Sequence, residues 1–198
     1  MNILHSYGYF GVIRLACDYL FTRLFYSNAR LIRRPIYVRG RSSMKLGDGL
    51  TTGVNVRLDA FAPRGSRPVL HIGRHVQIND SVHIGAIEQV VIGDFTLIAS
   101  RVFISDHNHG NYQTHDAASS PETPPADRPL YSRPVLIGCN VWVGEQVCIL
   151  AGVTVGDGAI VGANSVVTRD IPPNSIAVGN PARVIRVFNA ETQTWRRV

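Results

Sequence analysis

The sequence predicts an all-β solenoid, a parallel β-helix of six-residue repeats, with an N-terminal helix and one long loop that leaves the coil. Apolar β-branched residues recur every six positions, glycine is frequent while only 17% of residues are charged, and a proline-rich stretch interrupts the repeats. This composition favours short strands and tight turns over long helices.

The period of six is clearest from residue 137, where the chain divides into IGCNVW, VGEQVC, ILAGVT, VGDGAI, VGANSV and VTRDIP. The first position of each hexad is Ile or Val, and the fifth is small or β-branched. Helices and ordinary strands repeat at 3.6 and 2 residues, so this period indicates a parallel β-helix whose first-position side chains point inward. We expect the frequent glycine at the second position to relieve backbone strain at a corner.

The same pattern occurs earlier in the chain and sets the domain boundaries. Further hexads begin at residues 46, 52, 72, 78, 84, 92, 98 and 104. Residues 106–131 then break the phase and contain four prolines, so they are predicted to be extruded as a loop that cannot pair as regular strands. We therefore predict a helical segment at 1–35, a solenoid domain at 36–188 and a tail at 189–198.

Charge and cysteine content narrow the class of partner and the compartment. A formal net charge of +6 favours an anionic partner, but the basic residues form no single run, which disfavours nucleic acid. Cys17, Cys139 and Cys148 have no CxxC spacing and indicate neither a disulfide framework nor a zinc site. We expect a cytoplasmic protein without a signal peptide or a spanning helix, because Arg14 and Asp18 interrupt the N-terminal apolar stretch.

Residues 8–26 carry apolar groups at helical spacing and predict one amphipathic helix. Arg14, Asp18 and Thr22 fall on the opposite face. The interpretation we favour is a helix that packs on the solenoid and covers the open end of its core. The other interpretation is an interfacial helix that holds the protein near anionic lipid, at the inner face of the membrane.

Three stretches carry a family resemblance. VGANSVVTRDIPPNSIAVGNPARVIR resembles the closing segment of the sugar O-acetyltransferases related to galactoside, maltose and nodulation-factor acetyltransferases. VFISDHNHGNY and RPVLIGCNVWVGE resemble acetyltransferases that modify lipopolysaccharide O-antigen or other surface polysaccharides. The resemblance, over residues 44–188, implies a left-handed β-helix, a homotrimer, acetyl-CoA as co-substrate, no metal, and direct transfer to the hydroxyl of a saccharide acceptor.

The histidines of the ISDHNHG stretch are the candidate catalytic residues. An alcohol that attacks a thioester must lose its proton, and neutral imidazole is a suitable base near pH 7. The base of the resembling family lies at the sixth hexad position, which is His109 when counted from Ile104. The resemblance implies that Asn79 contacts the acceptor. His83 and His107 are further candidates for substrate binding. Asp106 either orients an imidazole or caps a turn.

The carboxyl-terminal coils hold the candidate coenzyme site. Coenzyme A carries phosphates, which arginine binds with paired donors. The resemblance implies that the coenzyme contacts Trp142, Gly144, Ala163, Thr168, Arg169 and Arg183. Arg186 is a further candidate, because it is a basic residue at the same end of the chain. An alternative stays open for the arginines, which are also typical of a solvated basic end, and for Trp142, which would equally pack under a loop of a neighbouring subunit.

Two other functions fit parts of the sequence. A zinc lyase resembling the gamma-class carbonic anhydrases would use three histidines across a trimer interface, with His83, His107 and His109 as the candidates. In that class the histidines are more widely spaced along the sequence, and the TRD and NPAR motifs have no role in its reaction. A non-catalytic β-helix scaffold is the other alternative, and it predicts no specific binding of acetyl-CoA.

Overall fold

The computed structural model describes residues 3–63, 65–112 and 118–198, and it shows an N-terminal helix followed by short strands. Helix α1 spans Ile3–Phe25, with non-helical backbone at Gly8. Short 3-10 turns lie at Arg41–Ser43 and Pro125–Asp127. The strands are β1 (Leu31–Ile32), β2 (Ile36–Arg39), β3 (Met44–Leu46), β4 (Thr51–Thr52), β5 (Val56–Ala60), β6 (Leu70–Ile72), β7 (Gln77–Ile78), β8 (His83–Ala86), β9 (Val90–Ile92), β10 (Leu97–Ile98), β11 (Phe103–Ser105), β12 (His107–His109), β13 (Leu130–Ser132), β14 (Val135–Ile137), β15 (Trp142–Val143), β16 (Cys148–Ile149), β17 (Thr154–Val155), β18 (Ile160–Val161), β19 (Val166–Val167), β20 (Ser175–Val178), β21 (Arg183–Asn189) and β22 (Thr194–Arg197).

Successive strands enter three parallel sheets in rotation, so each coil contributes one strand to each side. Sheet A contains β1, β4, β7, β10, β15, β18 and β20, sheet B contains β2, β5, β8, β11, β16 and β19, and sheet C contains β3, β6, β9, β14 and β17. The hexads stay in register from coil to coil, and Ile78 pairs with Ile98, which pairs with Val143. The parallel pairing of short strands predicted from the period of six is confirmed.

The first hexad positions form the core between the three sheets. The exposed fraction is at most 3% for each of the following first-position residues: Ile72, Ile78, Ile84, Ile92, Ile98, Ile104, Ile137, Val143, Ile149, Val155, Val161 and Val167. Most fifth positions are buried as well, Glu88 and Asn108 being exposed exceptions. They include the polar Thr96, whose hydroxyl donates to the carbonyl of Gly138 at 2.8 Å. That hydrogen bond lets a hydroxyl replace valine in the core without an unsatisfied polar group.

The second-position glycines have a different role from the predicted relief of strain. Gly73 does not adopt a left-handed backbone conformation, but a Cβ there would lie 2.8 Å from the backbone nitrogen of Asp94 on the next coil. Glycine is therefore required by the close approach of two coils. The left-handed backbone lies at the fourth position, where His75, Phe95 and Asn140 have φ of 55°, 60° and 55°.

The segment 106–131 leaves the coil between β11 and β14, but its two ends pair with each other. Strands β12 and β13 are antiparallel, with His107 opposite Ser132 and His109 opposite Leu130. The expectation that this segment cannot pair was wrong at its ends, because the prolines lie between the two strands rather than within them.

Strand pairing also occurs outside residues 36–188, and the domain boundaries themselves stay a prediction. Parallel pairing begins at β1, so it starts at Leu31 instead of residue 36. At the other end, β21 and β22 form an antiparallel extension of sheet A, so the segment 189–198 contains a strand. Neither of these end segments carries the hexad pattern. The segment at β1 precedes the first complete repeat, and β21 and β22 form a hairpin.

Helix α1 packs on the first coil with a face that carries Asp18, Thr22 and the partly buried Phe21. That it covers the open end of the core stays a prediction. Asp18 and Thr22 are 3% and 0% exposed, whereas Phe10, Leu20 and Leu24 are 90%, 62% and 77% exposed. The broad apolar face is therefore not the one that packs, and the packed face combines two polar residues with Phe21.

Specific contacts explain this orientation of the helix. The carboxylate of Asp18 accepts a hydrogen bond from Arg34 Nε at 2.8 Å, and the Thr22 hydroxyl accepts one from the Ile32 backbone nitrogen at 2.8 Å. Both inward polar groups are therefore satisfied. No helix within residues 3–63, 65–112 and 118–198 is long and apolar enough to cross a membrane.

Candidate active site

The outer surface of sheet B carries two rows of side chains that lead toward the loop. Alternate residues of a strand face the same side, so both rows point away from the core. The first row is Tyr37, Arg57, His83 and Phe103, and the second is Arg39, Asp59, Gly85 and Ser105. The predicted candidate His83 therefore lies on the same face as a group of charged residues that the sequence analysis did not single out.

Asp59 is the centre of that group. Its carboxylate accepts hydrogen bonds from Arg39 Nε and Nη2 at 2.7 and 2.6 Å, from Arg57 Nε at 2.8 Å and from His83 Nε2 at 3.2 Å. The Arg39 hydrogen bonds, with smaller contributions from His83 and Arg57, lower the pKa of Asp59 to about 2 against the opposing effect of burial. The alternation of apolar and charged residues in VRLDA was the sequence signal that could have identified Arg57 and Asp59.

The Asp59 cluster predicts a contribution to acid stability. The pKa of this carboxyl is lower in the folded state than the unfolded value of about 3.9. Its ionisation therefore stabilises the fold by about 2 kcal/mol above pH 4, and this contribution is lost as the pH falls to about 2. At one protein concentration, the difference in melting temperature between wild type and Asp59→Asn should shrink over that pH range. A constant difference would contradict the prediction, and Asp157→Asn at an exposed corner is the control.

Asp106 lies at the point where the chain leaves the coil, and its carboxylate is fully buried. It accepts hydrogen bonds from three consecutive backbone nitrogens, those of Ile87, Glu88 and Gln89, with shortest distances of 3.0, 2.8 and 2.8 Å. A fourth hydrogen bond comes from His107 Nδ1 at 2.8 Å. The prediction left open whether Asp106 orients an imidazole or caps a turn, and the structure shows that it contacts both.

His107 is held by this carboxylate above the surface of sheet B. Because a carboxylate only accepts hydrogen bonds, Nδ1 of His107 carries the proton and Nε2 of the neutral ring keeps its lone pair. A Cβ added to Gly85 would lie 3.3 Å from His107 Cε1, so the ring lies over this glycine. The side chain is 22% exposed, so it is not sealed inside the protein.

His109 lies on the same strand but has a different partner. Its Nδ1 lies 3.1 Å from the carbonyl oxygen of Pro125, within the loop, and its side chain is exposed. The Tyr112 hydroxyl donates to the His109 carbonyl, and Arg128 Nη1 donates to that hydroxyl at 2.7 Å. The His109 ring thus contacts a neutral carbonyl of the loop, whereas the His107 ring contacts a buried carboxylate.

Asn79, the candidate acceptor contact, lies just after β7 at the corner between sheets A and B, where it is exposed. In the part of the chain that the structure describes, its side chain makes no hydrogen bond to His83, His107 or His109. A shared role with these histidines therefore stays a prediction.

Three of the candidate coenzyme residues lie close together. Trp142 is 51% exposed on β15, between Leu97 and Ile160 on the neighbouring strands. Gly144 follows at the corner, where a Cβ would lie 2.7 Å from the backbone nitrogen of Ala163 on the next coil. This close contact explains the glycine structurally, and contact with coenzyme A stays a prediction.

The other coenzyme candidates are distributed along the carboxyl end. Thr168 and Arg169 are exposed after β19. Arg183 begins β21 and donates to the carbonyl of Ala182 at 3.0 Å, while Arg186 is opposite Arg197 on β22. Their roles as phosphate ligands stay predictions.

A metal centre has no support in the geometry of the described residues. In the ranges 3–63, 65–112 and 118–198, no group of three or more His, Cys, Asp and Glu side chains could hold a metal ion, and the three cysteines are free. His83 and His107 are hydrogen-bonded to different carboxylates. The histidine set of the zinc lyase alternative is therefore not assembled within the chain.

Known proteins share both the repeats and the length of this chain. The family described as bacterial transferase hexapeptide (six repeats) matches residues 134–169. A protein of Escherichia coli K12, provisionally named lipopolysaccharide biosynthesis O-acetyl transferase WbbJ, is 48% identical over 197 residues, which are 100% of this chain and 98% of that protein. Galactoside O-acetyltransferase of the same strain is 43% identical over 157 residues, 78% of this chain and 72% of that protein.

Solved structures show the same fold at lower identity. The N-acyltransferase AntD from Bacillus cereus, in complex with dTDP and 3-hydroxybutyryl-CoA, has a TM-score of 0.67 at 21% identity and covers 83% of this chain and 82% of its own. A hexapeptide-repeat acetyltransferase from Vibrio cholerae, in complex with acetyl coenzyme A, has a TM-score of 0.52 at 23% identity and covers 88% of this chain and 78% of its own.

The repeats, the three-sheet coil and these relatives together define a transferase built on hexapeptide repeats. The chain belongs to the hexapeptide-repeat transferase family. Within the family it is an acyltransferase of the O-acetyltransferase type, the class in which both Escherichia coli relatives are named.

Proposed function

We propose that the protein transfers the acetyl group of acetyl-CoA to a sugar hydroxyl during the biosynthesis of lipopolysaccharide O-antigen or another surface polysaccharide. Similarity to WbbJ over nearly the full length of both chains supports the pathway, and similarity to galactoside O-acetyltransferase supports a sugar acceptor. The TRD and NPAR motifs of the carboxyl end, which resemble acetyl-CoA-dependent enzymes, support the donor.

The contact between His107 and Asp106 is the observation that carries this proposal. A buried carboxylate that holds Nδ1 of an imidazole fixes the tautomer and stabilises the imidazolium that forms when Nε2 takes up a proton. An acyl transfer to an alcohol needs such a base, since the hydroxyl is far too weak an acid to ionise at neutral pH.

The proposed reaction is a direct attack without a covalent enzyme intermediate. As the sugar oxygen bonds to the thioester carbonyl carbon, its proton moves to Nε2 of His107. The tetrahedral oxyanion then collapses, the carbon–sulfur bond breaks, and the imidazolium returns the proton to the departing CoA thiolate. The products are an acetyl ester and CoA with a free thiol, and the enzyme regains its neutral histidine.

Our assignment of the base to His107 differs from the position obtained by counting hexads, which is His109. Both rings have a hydrogen-bonded Nδ1, which leaves Nε2 as the nitrogen that can take up a proton, so either is chemically competent. The geometry favours His107 because a charged carboxylate stabilises an imidazolium more than a carbonyl does. His83, whose Nε2 already donates to Asp59, is less suited to accept a proton there.

We also propose that the coil is left-handed and that the protein acts as a homotrimer in which the loop 106–131 reaches a neighbouring subunit. Partly exposed apolar side chains on the outer faces of the solenoid, Phe103, Leu136 and Trp142, support burial by another copy. A crystal structure with coenzyme A bound would test the handedness, the assembly and the candidate coenzyme contacts together. A monomer with the coenzyme bound would contradict the proposed assembly.

A turnover assay tests the function itself. We expect the purified protein to release CoA thiol from acetyl-CoA faster with the correct saccharide than without any acceptor, and to form an alkali-labile acetyl ester on that saccharide. A panel of free sugars, nucleotide sugars and lipid-linked sugars separates the acceptor classes. Absence of acetyl-CoA binding in calorimetry would favour a scaffold, and stoichiometric zinc whose removal abolishes activity would favour a lyase.

A further inference from the structure

Helix α1 presents a broad apolar face to solvent. Tyr9, Phe10, Ile13, Leu20 and Leu24 are 79%, 90%, 61%, 62% and 77% exposed. At helical spacing these positions fall on one side of the helix, opposite Asp18 and Thr22. Contiguous exposed apolar surface of this kind is typical of a binding face.

The orientation of this face is fixed by contacts on the other side of the helix. Asp18 is paired with Arg34 at 2.8 Å, and the Thr22 hydroxyl is bonded to the backbone at Ile32. Rotating the helix to bury its apolar face would break both contacts, including the ion pair of the buried Asp18 carboxylate with the partly exposed Arg34. The exposed apolar face is therefore built into the first coil.

The charge of the chain is concentrated next to this face. Residues 1–44 contain seven arginines and a single acidic residue, which accounts for the whole formal net charge of +6. Residues 45–198 contain thirteen basic and thirteen acidic residues. Since the one acidic residue, Asp18, is buried against Arg34, the surface around α1 is positive.

Arginines and tyrosines lie together at the edges of the apolar face. The Arg23 guanidinium lies 4.9 Å from the centre of the Tyr19 ring, and that of Arg33 lies 5.9 Å from the centre of the Tyr7 ring. Tyrosine and arginine place an apolar body against hydrocarbon while their polar ends stay in water, which suits the boundary between lipid headgroups and acyl chains.

We propose that α1 docks on an anionic bilayer surface, with its apolar face among the headgroups and upper acyl chains and the surrounding arginines on lipid phosphates. A helix of this kind lies in the plane of the interface and gains affinity from both apolar burial and charge. A second copy is the less suitable occupant, because two such faces placed together would bring two sets of arginines into contact. The inference does not depend on acetyl transfer.

Flotation of the full-length protein with two kinds of vesicle tests this inference. We expect strong binding to vesicles of phosphatidylcholine with phosphatidylglycerol, weak binding to phosphatidylcholine alone, and a loss of binding as salt is raised. Leu20→Ser/Leu24→Ser should weaken binding about tenfold or more, because two leucines no longer enter the bilayer. The matched control is Leu130→Ser/Val198→Ser, which removes two exposed apolar side chains elsewhere and should leave binding unchanged.

A charge variant and a mass measurement complete the test. Arg23→Glu/Arg30→Glu should reduce binding to the anionic vesicles about tenfold or more while leaving the weak binding to phosphatidylcholine alone unchanged. The proposal is overturned if wild type ignores both vesicles or if the leucine variant binds as well as wild type. It is also overturned if the leucine variant changes the oligomeric mass in sedimentation without changing vesicle binding, since the face would then join copies of the chain.

Discussion

Replacing His107 by alanine is expected to lower kcat by about 10²- to 10⁴-fold, with a much smaller change in KM for acetyl-CoA. The substitution removes the group that takes the proton from the sugar hydroxyl, a role that exists only in the transition state. The measurement is steady-state release of CoA thiol with a saturating saccharide acceptor. Because the side chain is partly exposed and lies over Gly85, the fold should persist, which a melting curve can verify.

His109→Ala is the matched control for this prediction. It removes an imidazole of the same type, from the same strand, two residues away. Its bond to the Pro125 carbonyl holds the loop, so we expect a higher KM for the acceptor with a kcat within about tenfold of wild type. If instead the His109 variant loses kcat and the His107 variant keeps it, the hexad count identifies the base and the proposed role of Asp106 is wrong.

The ambiguity between these two histidines illustrates what the sequence could and could not determine. The repeat places Ile104 inward and predicts where the chain leaves the coil, because hexad phase is a local property. The partner of His107 is its neighbour Asp106, but the orientation of that carboxylate is not a local property. The carboxylate of Asp106 is held by backbone nitrogens at residues 87–89, and only the stacking of two coils brings them together.

The same distinction applies to helix α1 and to the Asp59 cluster. Apolar spacing identified a helix and its two faces, but the packed face was decided by Arg34 and Ile32 beyond its end. Arg39, Asp59 and His83 lie on three successive coils. Each is twenty or more residues from the next along the chain, so no short motif contains them. Periodicity thus predicted the coil and its core, while the polar contacts required the register between coils.

Asp106→Asn is expected to be the most damaging single substitution of a polar residue in the described part of the chain. The side chain is fully buried, and an amide would turn its NH₂ group toward at least one of the backbone N–H donors. Loss of charged hydrogen bonds together with unsatisfied buried donors should cost about 3–5 kcal/mol of folding free energy. The measurement is the melting temperature at one protein concentration, since assembly would also affect it.

Asp157→Asn provides the comparison for stability. Asp157 also accepts a hydrogen bond from a backbone nitrogen on the neighbouring coil, that of Cys139 at 2.7 Å, but it is exposed to water. Water can satisfy the groups left by this substitution, so we expect a cost of about 1 kcal/mol or less. Equal losses for the two variants would show that burial of the Asp106 carboxylate is not what stabilises this corner.

The catalytic effect of Asp106→Asn can be separated from its structural effect by combining it with His107→Ala. If the carboxylate acts on catalysis only by holding Nδ1 and stabilising the imidazolium, the amide should lower kcat strongly at a temperature where the variant is folded. The double variant should then have a kcat close to that of His107→Ala alone, because the two residues act as one unit. Multiplicative losses in the double variant would mean that Asp106 affects the reaction through the fold of the loop and not through the histidine.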